Sequence, residues 1–94
     1  SAKKIETPAS AHAERTETHL LAMRVNQALD KVLEAEGITQ AEWGNRKGFT
    51  PKNISLVRGH AKRVSEGKEL APVSVIQQMA ATLGVKQTTG GLNQ

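Results

Sequence analysis

The chain has 94 residues, enough for one small core and too few for two, and it carries a formal net charge of +4 from 13 Lys and Arg against 9 Asp and Glu. It contains no cysteine, which excludes a disulfide framework and a thiolate metal site, and with one Trp, one Phe and no Tyr its core must be aliphatic. No apolar run approaches the length of a bilayer-crossing helix and no apolar signal-peptide core is seen, so a soluble, cytoplasmic protein is expected.

Residues 1–16 are rich in Ala, Ser, Thr and charge, and they offer too little apolar surface to offset the entropy of ordering them. A disordered N-terminal arm is expected there, with Lys3 and Lys4 either touching a phosphate backbone or lying in a solvated tail. The folded domain is expected over residues 17–85. From about Glu17 to Glu36 the residues Leu21, Val25, Ala28, Leu29 and Val32 fall on one helical stripe, Leu20 and Leu33 lie at its margins, and Gly37 supplies a left-handed C-terminal cap. The turn carrying Leu20, Leu21 and Met23 exceeds what a small core requires. It either meets a second subunit or packs back on the helix near the C-terminus.

Thr39 and Glu42 have the spacing of a capping box at the start of a short helix. Thr50 and Pro51 open another, with an N-cap hydroxyl followed by a proline at the first helical position. Gly48 between them takes positive φ without steric cost, so the chain can turn sharply enough for the two helices to cross. Trp43, Phe49, Ile54 and Val57 then fall where two crossed helices share a core, which is helix-turn-helix geometry. His60 to Ala71 reads as a loop, from Gly67 and the polar composition, with room for a short continuation of the preceding helix through Ala61 or Val64. Pro72 opens the last helix, whose stripe is Val73, Ile76, Met79, Ala80 and Leu83 and whose end is marked by Gly84 and Val85. Residues 86–94, with two adjacent glycines and no buried-face pattern, are expected to form a flexible tail.

Thr39, Gln40, Trp43, Gly44, Gly48, Phe49, Thr50, Ile54 and Ser55 fill every slot of the pattern T-Q-x-x-[apolar]-[small]-x-x-x-G-[apolar]-[S/T]-x-x-x-I-S. On these residues the stretch from about Leu21 to Val85 resembles the Cro/repressor-type (XRE-like) helix-turn-helix family. The segment VSVIQQMAATLGV is similar to that family's fourth helix, while His60 to Ala71 is longer than its usual connection and its common fifth helix is missing. The resemblance implies an all-α domain of about four helices around a central helix-turn-helix, with flexible tails at both ends.

In such a domain the second helix of the motif enters the major groove, where its outward side chains meet base edges. Those side chains are Lys52, suited to guanine O6 and N7; Asn53, suited to adenine N6 and N7; Ser55; and Leu56, suited to a thymine methyl. Pro51 occupies a slot that often holds a reading side chain in the family. Phosphate contacts are expected from Thr39, Gln40 and Thr50 at helix N-termini and from Lys47, Lys62, Arg63 and His60. Of these, Gln40 matches a family position that touches phosphate, and Lys47 replaces an apolar residue and must reach from the core edge toward solvent or DNA. Arg58 stands where the family often has an acid, and it either pairs with an acid of the first two helices or contacts DNA.

The charge distribution agrees with this orientation. From Glu17 to Asn45, Arg24 and Lys31 face five acids, a net −3, whereas from Arg46 to Glu69 seven basic residues face Glu66 and Glu69, a net +5. Parts for catalysis are missing: Asp30 is the one aspartate, no serine sits in a G-x-S-x-G elbow, and Gly44 and Gly48 do not have phosphate-loop spacing. His12, His19 and His60 lack the close spacing of helical metal ligands. No enzyme, cofactor, metal or small-molecule ligand is therefore expected. The expected function is transcription regulation, as a repressor of bacterial, plasmid or phage origin that binds double-stranded DNA as a homodimer on a two-fold symmetric operator. The alternative is a protein-interaction module with the same fold, antitoxin-like or an adaptor.

Overall fold

The computed structural model describes residues 2–86, with side chains from residue 17 onward. Among the described residues the chain is all-α, with helices α1 (Ala2–Glu36), α2 (Gln40–Lys47), α3 (Pro51–Arg58), α4 (His60–Glu66) and α5 (Val73–Leu83) and no strand. The helix expected from about Glu17 begins at Ala2, so residues 2–16, expected as a disordered arm, belong to α1, and what their side chains do lies outside the described residues. So does the tail beyond residue 86.

The core forms where α1 lies against α5, with α3 and α4 also packed on α1 and α2 packed on α3. On α1 the fully buried residues are Ala22, Val25 and Leu29, at spacings of three and four that keep them on one face. They join Ile76, Met79 and Ala80 of α5, Ile54, Leu56 and Val57 of α3, and Trp43 of α2 in a single cluster. Each large side chain in it contributes about 1.5–3 kcal/mol by leaving water. Leu21, Val32, Leu33, Ile38 and Phe49 close the margins. The surplus apolar turn of α1 is split: Leu21 packs against the core, while Leu20 remains 48% exposed.

Helix ends follow local chemistry. Gly37, Gly48, Gly67 and Gly84 all have positive φ, and each stands directly after the last turn of a helix. At the end of α5 the Val85 amide also donates to the Ala80 carbonyl at 2.8 Å, the longer of the two bonds that close a Schellman turn.

Two further expectations are corrected. The segment from His60 is a helix of its own as far as Glu66, so the loop shrinks to residues 67–72 and the helices number five. Arg63 donates its amide to the Gly59 carbonyl at 2.9 Å, so the backbone bonding passes through Gly59 and the polar composition does not break it. Val73, assigned to the inner stripe of α5, is 48% exposed, because it lies at the first residue of the helix, beyond the reach of α1's covering face.

Candidate nucleic-acid interface

The geometry of the α2–α3 pair starts at its caps. The Thr39 hydroxyl accepts from the Glu42 amide at 3.1 Å, and the Thr50 hydroxyl accepts from the Asn53 amide at 3.1 Å, so each helix has one otherwise orphaned donor satisfied. The Glu42 carboxylate does not complete the reciprocal half of a capping box. It accepts from Arg46 one turn on, at 2.7 Å. Gly48, at φ 84°, then reverses the chain, and the Gly48 and Phe49 amides both donate to the Gly44 carbonyl at 2.9 Å.

Gly44 sets how closely the two helices cross. A Cβ placed on it would overlap Ile54 Cδ1 and come within 3.3 Å of the Phe49 carbonyl oxygen. With Ile54 in this position only a hydrogen fits, and a methyl there would require the Ile54 Cδ1 end to turn aside. Beside this contact Trp43 stacks on Phe49, with ring centres 5.4 Å apart and planes 6° from parallel. A second anchor ties α3 to α1: Asn26 Nδ2 donates to the Val57 carbonyl at 2.9 Å, and Arg58 donates to the Asn26 backbone and side-chain oxygens at 3.0 and 3.2 Å and to Asp30. Of the two roles open to Arg58, the guanidinium takes the structural one. Asn26 was not singled out from the sequence, although a polar residue directly after the buried Val25 was a signal for it.

α3 is covered more widely than one stripe. At about 100° per residue, Leu56, Asn53, Val57, Ile54 and Arg58 occupy a continuous arc of about 200°, and all are buried or half-buried. The uncovered strip holds Pro51, Lys52 and Ser55. Of the four residues assigned to base contact, Lys52 and Ser55 lie outward, with 72% of the Lys52 side chain exposed, and Asn53 sits half-buried at the strip's edge. Leu56 is a correction: at 3% exposure it belongs to the core, because α3 has neighbours in α1, α2 and α4 and its buried face is correspondingly broad.

The phosphate-contact set divides similarly. Thr39, Lys47, Thr50 and Lys62 are exposed, and Gln40 and Arg63 are half-buried. The ammonium groups of Lys47 and Lys62 have no ion-pair or hydrogen-bond partner among the described residues, whereas Arg63 donates to the Glu69 carbonyl at 3.0 Å and Lys52 lies 3.8 Å from the Glu69 carboxylate. At these exposures the Lys52–Glu69 pair is worth little and leaves the ammonium free to exchange partners. Asn45, not singled out earlier, joins Gln40 and Pro51 around a shallow depression of about 160 Å³ between α2 and the start of α3.

His60 is the second correction. It is 2% exposed and its ring centre lies 5.4 Å from that of His19 on α1, so it cannot reach a phosphate. Burial first, and the neighbouring His19 second, lower its pKa below the ordinary 6.5. The imidazole is neutral at neutral pH.

Among the described residues no group of three or more His, Asp or Glu side chains is placed to hold a metal ion, and no helix is long and apolar enough to cross a membrane. The exposed donors of α2–α3 include Lys47, Lys52 and Ser55. No family model, curated protein or solved structure matches the chain.

Proposed function

We propose that this chain is a sequence-specific DNA-binding transcriptional regulator of the Cro/repressor type, a repressor that acts as a homodimer and places α3 in the major groove. The observation that carries the reading is the narrow uncovered strip of Pro51, Lys52 and Ser55 on a helix fixed by the Thr50 cap, the Gly44 crossing and the Arg58 anchor. A rod held on three sides with one polar side free suits a groove that admits one helix. Lys52 and Ser55 read bases, Asn53 reads from the edge of the strip, and Thr39, Gln40, Thr50, Lys47, Lys62 and Arg63 hold phosphates. One such helix covers only a few base pairs, so two copies meet half-sites about one helical turn apart.

The test is selection of bound sequences from a random duplex library, followed by fluorescence anisotropy on the selected and a scrambled duplex over a range of salt. Lys52→Ala should lose about 1–3 kcal/mol on the selected duplex and little on the scrambled one. Lys62→Ala should weaken both equally and flatten the log–log salt slope by about 1. No enrichment over the starting library, or equal losses on both duplexes for both variants, refutes the reading.

A further inference from the structure

We propose that the cavity between α1, α4 and the α4–α5 loop is a binding site for a small amphipathic carboxylate, an aliphatic or aromatic monoacid. The cavity measures about 440 Å³, within the range of small-molecule sites. Its walls include His19 of α1, His60, Arg63 and Val64 of α4, and Lys68 and Leu70 of the loop.

Two independent features select the ligand. The first is apolar surface. The large hydrophobic side chains left exposed among the described residues are Leu20, Val64, Leu70 and Val73; the last three border this cavity, and Leu20 follows His19 in the chain. Exposed apolar groups gathered at one concavity mark a site, whereas single scattered ones do not.

The second feature is charge. Arg63 and Lys68 stand in the wall and no acid does among the described lining residues. Arg63 commits one nitrogen to the Glu69 carbonyl, and its guanidinium retains further donors. Lys68 is held by Glu66 at 3.2 Å in an exposed pair that a better-placed anion can replace. A metal cation would meet repulsion here, and a small inorganic anion would leave the apolar walls wet.

The Nδ1 atoms of His19 and His60 are buried without a partner, but they have almost no accessible surface, so an acid in the cavity does not reach them and they take no part in selecting it. The ligand that satisfies both features has an anionic head for Arg63 and Lys68 and a hydrocarbon body for Val64, Leu70 and Val73.

Arg63 is shared with the phosphate contacts proposed above, but the test uses the protein and the acid alone, so the proposal can fail without the DNA reading failing. Octanoate serves as the probe, titrated into the full chain and followed by calorimetry and by the imidazole NMR signals. Octanoate should saturate a single site and shift the ring signals of His19 and His60, while 1-octanol should bind at least about tenfold more weakly for want of charge-assisted hydrogen bonds. Because His60 variants risk unfolding the domain, the discriminating variant is Val64→Glu at a position 46% exposed, which should keep the helical circular dichroism and lose octanoate binding by about tenfold or more. Octanol binding as tightly as octanoate, an unaltered affinity in Val64→Glu, or no saturation by about 10 mM (a bound weaker than any specific site of this size) overturns it. So does ring-signal movement with protein concentration in the absence of octanoate, which would show a second copy filling the cavity.

Discussion

The α2–α3 pair and α4 are neighbours of similar helix length, and they are held in opposite ways. α2 and α3 each have a side-chain N-cap, and the turn between them is fixed by a left-handed glycine and a glycine-tight crossing. α4 has no side-chain cap, begins at Gly59 in a conformation between helix and extended chain, and borders a cavity with unpartnered histidine nitrogens. The first region is specified by its own sequence. The second is specified by α1 beside it, and a region left incompletely satisfied has capacity for something else.

The sharpest way to break the α2–α3 side of that contrast is Gly44→Val. The added branch meets Ile54 and the Phe49 carbonyl, and overpacking of this kind costs about 1–3 kcal/mol or more. Urea unfolding followed by the fluorescence of Trp43, the one tryptophan, should show a lower midpoint with unchanged slope. A stability equal to wild type would mean the helices do not cross here.

Acid tests the α4 side. The pKa of His60 is lowered in the folded chain, so the unfolded chain binds more protons in the window between the folded value and 6.5. Stability should therefore hold above pH 6.5 and fall as pH drops through that window, with a slope from this group of up to about 1.4 kcal/mol per pH unit. His60→Gln should remove that part of the slope, as read from urea midpoints between pH 7.5 and 5. An identical slope in the variant would place the acid sensitivity elsewhere.

These two tests also mark what could be read without coordinates. The ends of α2, α3 and α5 were legible because Thr39, Thr50, Pro51, Gly48 and Gly84 act within one turn of themselves, and so was the outward placement of Lys52 and Ser55 on the polar side of α3. Leu56 was misplaced because a single apolar stripe assumes one neighbour, whereas α3 has three. His60 was misplaced because α4 itself was read as loop: with no cap, a glycine before it and a polar sequence, nothing local announces a helix whose reason for existing is contact with α1 and α3. The cavity was invisible for the same reason, since its walls come from residues about forty or more apart in the chain, such as His19 and His60.

A smaller effect should come from Thr50→Ala, which removes the hydroxyl that accepts from the Asn53 amide and should cost about 1 kcal/mol. The amides at the start of α3 then lose their fixed partner. Hydrogen exchange should accelerate over residues 52–54 while α5 is slowed or accelerated no more than global stability dictates. Uniform acceleration across all five helices would show that the cap acts on the whole domain and that α3 has no local identity.

The smallest expected change has the opposite sign and probes why α4 is uncapped. Gly59 has φ −94° and ψ 16°, a conformation open to any residue, and a Cβ there would meet the Ser55 carbonyl at 3.5 Å and the Arg63 side chain at 3.8 Å, ordinary contacts. The glycine is therefore not required for the turn between α3 and α4. Gly59→Ala should stabilise the domain by about 0.4–1 kcal/mol by narrowing the unfolded ensemble, measured as a higher urea midpoint. If the gain appears and octanoate affinity is unchanged, the junction is merely unoptimised; if the gain appears and affinity falls, the looseness of this junction belongs to the cavity, because α4 must shift for the acid to enter.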